Sequence, residues 1–197
     1  MLFDDNKVLA GIFQGEVAAD ERDLSVAGVA VHKFSGIIVK DGGLVLVQRE
    51  AKDKVYDDSG AVIGKKKVVW WELPGGKSEA ADNGDPRNSV KREALEECGV
   101  NVNVGDVLWV DRASHRKNKL VAYYPCQYVS GEVSNTLPEE HLDARTFLPD
   151  ELHALSLSGV HIRVPEGIIS RFMQDPSFFE KCVTNPPVLK GAELSPA

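Results

Sequence analysis

Apolar residues fall in short runs through the middle of this chain, and the spacing of those runs sets out its elements. Gly36-Ile37-Ile38-Val39 and Leu44-Val45-Leu46-Val47 are strand-like runs split by Asp41-Gly42-Gly43, a pattern that predicts a hairpin. Asp57-Asp58-Ser59-Gly60 predicts another turn, followed by a strand from about Lys66 to Leu73. Pro74-Gly75-Gly76 ends that strand and opens a loop rich in Asp, Asn and Gly. A helix follows with both ends marked. Asp85 is a good N-cap, and Pro86 suits the first helical position, where its missing N–H costs nothing. Gly99, directly after Cys98, supplies a residue able to take a left-handed C-terminal cap.

Beyond that helix, Val100 to Val110 and Leu120 to Val129 read as strands. Ala144 to Leu152 leads into a loop, and Pro165 to Gln174 reads as a final helix. Ahead of the hairpin, Val8 to Phe13 and Val26 to Val31 are candidate short strands. Asn185-Pro186-Pro187 opens a loose tail. A chain of 197 residues has room for one well-filled domain, and a second would be cramped. The expectation is one domain over residues 1–197, with a core of about 30–175, an N-terminal extension over 1–30 and a tail over about 183–197.

Composition narrows the partners. Apolar residues make up 43% and charged residues 27%, the balance of a soluble globular protein. A formal net charge of -7 argues against wrapping duplex nucleic acid, because no strong basic field exists to release counterions. A small anionic substrate stays compatible, since a bound cation inverts the local field. Cys98, Cys126 and Cys182 are odd in number and widely spaced, which fits reduced thiols better than a disulfide framework or a zinc site. Acids stand near the N-terminus where a secretory signal would carry lysine or arginine, and no apolar run approaches membrane-span length. The expected compartment is the cytoplasm, with no membrane partner.

The densest chemistry lies on the predicted helix. Glu93, Glu96 and Glu97 stand at i, i+3 and i+4, so their carboxylates share one face. Val90, Ala94 and Cys98 form an adjoining apolar stripe that can pack on a sheet. Arg92 precedes Glu96 by four residues, within reach to pair with it. Three neighbouring acids repel one another. A hard divalent cation removes that repulsion, and Mg²⁺ takes one or two protein carboxylates plus waters and substrate phosphate oxygens. The carboxylates alone also fit a solvated acidic helix face, the commoner arrangement.

Arg92-Glu93-Ala94-Leu95-Glu96-Glu97-Cys98-Gly99-Val100 resembles the second half of the Nudix box, R-E-U-x-E-E-x-G-U with U an apolar residue. Upstream, Trp71-Glu72-Leu73-Pro74-Gly75-Gly76-Lys77-Ser78-Glu79 is similar to the segment that leads into that box, and Arg49 resembles an arginine often carried there. The resemblance implies an α/β Nudix fold, an α/β/α sandwich around a mixed sheet, and hydrolysis of a diphosphate linkage in a nucleotide-like substrate. Mg²⁺ is the implied cofactor, with Mn²⁺ as the alternative. By resemblance Glu96 and Glu97 are the principal metal ligands, with a backbone carbonyl of Gly75 or Gly76 completing the shell. Glu93 is implied as metal ligand or base, Arg92 as the residue that orients a glutamate, and Glu140, ahead of Glu139, as a distant ligand or base. Arg49, Trp70, Lys77 and Glu79 are the candidate substrate contacts.

One departure from the box stands out. Counting five residues on from Gly76 lands on Asp82 where the family carries glutamate, and nine residues rather than seven then separate it from Arg92. Asp82 or Glu79 takes that place in a loop two residues longer than usual. Signs of the ADP-ribose and NADH branches are lacking, which leans the reading towards nucleoside triphosphates or nucleotide sugars. The rival reading is a Nudix-like module that senses a nucleotide without cleaving it. An isomerase on this fold would want a catalytic cysteine and histidine ligands outside the box, for which the sequence has no convincing counterpart. Family members can also dimerise through N-terminal strands, so a homodimer is among the expected partners.

Overall fold

The computed structural model describes residues 25–26, 29–57, 59–112 and 119–185. The candidate strand at Val8 to Phe13 and nearly all of the expected tail lie outside the described residues. In chain order the strands are β1 (Ser25–Val26), β2 (Val29–Lys40), β3 (Gly43–Tyr56), β4 (Val62–Glu72), β5 (Gly75–Gly76), β6 (Asn101–Val104), β7 (Trp109–Arg112), β8 (Leu120–Ser130), β9 (His141–Phe147) and β10 (His161–Ile162). Among the described residues the helices are α1 (Pro86–Cys98), α2 (Pro149–Leu157), α3 (Glu166–Gln174) and α4 (Phe178–Thr184), and a 3₁₀ turn spans Ala80–Asp82.

The sheet runs β10-β4-β3-β2-β8-β6, with β9 joined to β3 and β7 to β8. It is mixed: β2 with β8 and β4 with β10 are parallel, and β3 pairs antiparallel with β2, β4 and β9. The hairpin between β2 and β3 forms as expected. Asp41 and Gly42 both take positive φ (52° and 78°), the backbone of a tight two-residue turn that matches strand twist. From there β3 leaves β2 and is flanked by β4 and β9, so Arg49 faces Trp70 on one side and His141 on the other.

Strand alternation divides the core into two layers. Ile37, Val39, Leu44, Leu46 and Trp71 pack with Leu152 of α2, Ile168 and Phe172 of α3, and Phe179 and Cys182 of α4. Ile38, Val45 and Val47 point to the other face and pack with Val90, Ala94 and Cys98 of α1. Helices on both faces of a mixed sheet make the α/β/α sandwich that the resemblance implied. Each buried aliphatic side chain contributes roughly 1.5–3 kcal/mol, so the α1 stripe is what fixes the acidic helix to the sheet.

Three local expectations change. Val100 to Val110 is not one strand: β6 ends at Val104, and β7 begins at Trp109 after a turn. The stretch from Ala144 is not the approach to a loop. It ends β9 and enters α2, whose first turn holds Pro149 and accepts the Leu148 N–H on the Glu151 carboxylate. Pro165 to Gln174 is not the final helix: α4 follows α3 after a short turn, and its Phe179 and Cys182 close the core.

Candidate active site

Helix α1 carries the acids. Asp85 accepts the Arg87 N–H at 2.9 Å as N-cap, Pro86 opens the first turn, and Gly99 closes the helix at φ 71°. Both expected ends are borne out. With the apolar stripe buried, Glu93 and Glu97 turn towards β5, while Glu96 stays half exposed. β5 lies beside Phe34 and Ser35 of β2. A Cβ on Gly76 would overlap the Glu93 carboxylate, so a side chain there would push that carboxylate out of its present place.

Arg92 is the hub. Its Nε and Nη2 reach the two Asp82 oxygens at 3.1 and 3.2 Å, and Nη2 also donates to the Lys77 carbonyl at 2.9 Å. Its Nη1 lies 2.9 Å from both Glu93 and Glu96 and 3.7 Å from Glu79. Asp82 is buried and also accepts from Ser89 Oγ and the Glu79 N–H. Burial pushes its carboxyl up, but the hydrogen bonds from Arg92, Glu79 and Ser89 outweigh this and hold it below the usual range. Asp82 therefore anchors Arg92, and Glu79 sits at the rim. Asn83 and Gly84, at φ 55° and 74°, turn the chain between Asp82 and the N-cap and absorb the added loop length.

Glu97 is buried, with Oε2 accepting the Gly75 N–H at 2.8 Å. His141 Nε2 lies 3.1 Å from its other oxygen, and the histidine side chain is completely buried. The contact is close but out of line for a hydrogen bond, and among the described residues neither ring nitrogen has a hydrogen-bond partner. Burial raises the Glu93 carboxyl above its ordinary value, the charges of Glu97 and Glu96 raise it further, and Arg92 pulls it back.

The other candidates form a second cluster on neighbouring strands. Glu72 is nearly buried and receives Lys33 Nζ at 2.9 Å, Arg49 Nη1 at 3.4 Å and the Trp70 indole N–H at 2.7 Å. Burial favours its neutral form, yet Lys33, the indole and Arg49 together depress it to about 2. Arg49 Nη2 also meets Glu140 at 2.7 Å, so Glu140 stands paired with this arginine. Trp70 is only 7% exposed, and the Arg163 guanidinium lies 3.7 Å from its ring centroid, so one ring face already carries a cation. Lys77 places its carbonyl, rather than its exposed side chain, among the bonds of the site.

Glu93, Glu96 and Glu97, with the carbonyls of Gly75 and Gly76 nearby in β5, are the groups able to hold a hard cation. Among the described residues no three His, Cys, Asp or Glu side chains already converge as a cage, and Arg92 is the cation that bridges Glu93 and Glu96. Residues 32–165 match the model of the NUDIX domain, which is more than half of the sequence. The chain belongs to the Nudix family. The expected enzyme class, a Nudix-type pyrophosphohydrolase, is borne out with it. A NUDIX hydrolase from Nitrosomonas europaea is similar at 19% identity, over 74% of this chain and 88% of that one, with a TM-score of 0.52. A second Nitrosomonas europaea NUDIX hydrolase structure matches at 18% identity, over 77% and 74%, also at 0.52. At such identities the likeness shows the fold. No curated protein sequence matches this chain.

Sequence reasoning did not single out His141, Glu72 or Lys33. Glu72 was visible only as a letter inside the glycine motif, and its partners come from β2 and β3. His141 follows Glu140 directly, but nothing local to it announces Glu97 as its neighbour. Among the described residues no helix is long and apolar enough to cross a membrane.

Proposed function

We propose that this chain hydrolyses a diphosphate linkage in a nucleoside diphosphate-linked substrate, such as a nucleoside triphosphate or a nucleotide sugar, using Mg²⁺ or Mn²⁺. The observation that carries the reading is the packing of Glu93 on Gly76 beside Glu97 and Glu96. Arg92 holds Glu93 and Glu96, Glu97 stands beside Glu93, and burial followed by the charge of Glu97 raises the Glu93 carboxyl. Such a cluster is short of positive charge, and a divalent ion supplies it.

Glu96 and Glu97 would hold the ion, with Glu93 beside them. The ion would supply charge neutralisation and orientation for the diphosphate oxygens. Asp82 fixes the Arg92 guanidinium, and Arg92 in turn orients Glu93 and Glu96. Glu93 would take the proton from the attacking water. Arg49 and Lys33, one strand away, are placed to meet substrate anions, with Glu140 released from Arg49 as the rival base. The catalysis is mainly placement and electrostatics. The partner is then a small nucleotide-like molecule, and the catalytic unit spans about residues 30–175.

A hydrolysis screen over nucleoside triphosphates, dinucleotide polyphosphates, ADP-ribose and nucleotide sugars tests this. The expected outcome is turnover of at least one class with Mg²⁺ or Mn²⁺ and none in excess EDTA. Binding of a nucleotide without turnover would favour the sensing module instead, and full activity in EDTA would overturn the metal-dependent reading.

A further inference from the structure

His141 is buried with neither ring nitrogen hydrogen-bonded among the described residues, and the reaction above gives it no part. We infer that His141 is a positioning residue for Glu97, holding the carboxylate from the side opposite the Gly75 N–H so that its remaining lone pairs face the cation; the inference rests on the proposed divalent-metal site.

His141 is held in place by its backbone. Its N–H donates to the Leu137 carbonyl at 3.0 Å, and its own carbonyl accepts Asn135 Nδ2 at 2.8 Å. The loop before it is tied to the end of α1: Thr136 Oγ1 donates to the Glu96 carbonyl at 2.7 Å, and the Ser134 N–H donates to that of Cys98 at 3.1 Å. One loop therefore couples the backbone of the acid helix to the start of β9. The side chain that emerges there has no exposure and stands 3.1 Å from Glu97.

Stability alone does not account for an imidazole at this place. A buried polar group without a hydrogen bond costs about 1–3 kcal/mol, and an aromatic hydrocarbon would fill the same space without that penalty. A proton carried on Nε2 needs only a small rotation of the ring to be donated to Glu97, whose oxygen already lies 3.1 Å away. A carboxylate fixed at both oxygens keeps free lone pairs for an ion and loses little motion on binding it. Partners of this kind behind a ligand typically alter metal affinity by about 10- to 100-fold.

The test is Mn²⁺ binding to the full-length protein without substrate, read by electron paramagnetic resonance at fixed pH, with thermal melting recorded alongside. His141→Phe removes the N–H and keeps ring bulk; His141→Gln restores an N–H donor near the Nε2 position. The expected result is a Kd about tenfold weaker for H141F, largely recovered in H141Q, with the melting temperature of metal-free H141F held or raised. Equal Mn²⁺ affinity in wild type and H141F overturns the inference, as does equal weakening in both variants. If H141F does not fold, the imidazole nitrogen resonances of the wild type decide on addition of Mg²⁺. A shift in the signal that H141Q lacks supports the role, and an unmoved signal at saturation overturns it. Failure of the wild type to bind Mn²⁺ at all is a different outcome, and it removes the metal site itself.

Discussion

Two clusters of charge stand on the acid helix and the strands beside it, and they are balanced differently. Around Arg92, acids outnumber the cation: Asp82, Glu93, Glu96 and the more distant Glu79 all face one guanidinium, and Glu97 stands beside Glu93. Around Glu72, two cations and an indole N–H face one carboxylate. The same side-chain chemistry then gives opposite results, with Glu93 raised and Glu72 pressed down to about 2. Burial acts on both carboxylates in the same direction, so the neighbouring charges make the difference. A cluster that lacks positive charge is prepared for a cation. The two cations around Glu72 are met by a second carboxylate, Glu140, so that cluster is a stable scaffold and faces an anion only when Glu140 leaves Arg49.

The largest effect that would sharpen this contrast is expected at Glu97. Glu97→Gln keeps the shape and can still accept the Gly75 N–H, so apo stability should hold. The charge lost is the one proposed to hold the ion, and kcat should fall by about 10²-fold or more, on the order of 3 kcal/mol. A folded variant with more than about half the wild-type rate would place the metal elsewhere.

At Glu72 the effect should appear in stability. Its folded pKa lies below the ordinary glutamate value, so its contribution is full above the unfolded pKa and is lost as pH falls through the folded one. The depression from 4.5 to about 2 corresponds to roughly 3 kcal/mol at neutral pH. Urea unfolding at pH 7 should show Glu72→Gln less stable by up to about that amount, with the gap below half its size by about pH 3. A gap independent of pH would mean that the Lys33 and Arg49 pairs do not set the balance.

The smallest effect belongs to the loop between the acids. Deleting Asn83 and Gly84 restores the family spacing, and the expected change is a shift of a few fold in KM or in substrate preference, about 1 kcal/mol. Mn²⁺ affinity should stay as in wild type. Lost metal binding would show that the two left-handed residues are needed to hold Asp82 against Arg92.

Much of the first cluster was legible because its geometry is local. Glu93, Glu96 and Glu97 share a face through helical period alone, and Asp85, Pro86 and Gly99 mark the helix ends through their own backbone preferences. The strand pair around Asp41-Gly42 was legible for the same reason, and the stripe Val90, Ala94, Cys98 told which side of the helix would meet the sheet. The choice between Asp82 and Glu79 was not local. Only the fold shows Asp82 buried with both oxygens on Arg92 and Glu79 further off at the rim. Helix α4 escaped notice because its seven residues are too few for a clear period, and it is stabilised by packing Phe179 and Cys182 on the sheet.

By itself the sequence determined the acid helix, its caps, the glycine pair and the hairpin, since each follows from residues within one or two turns of each other. Only the tertiary structure decided that Arg49 would join Glu72 to Glu140, 91 residues further on, and that His141 would stand buried against Glu97. The physical reason is strand pairing. Register sets which side chains meet across β4, β3 and β9, and it emerges from the burial of the whole sheet, so no short stretch of the chain carries it.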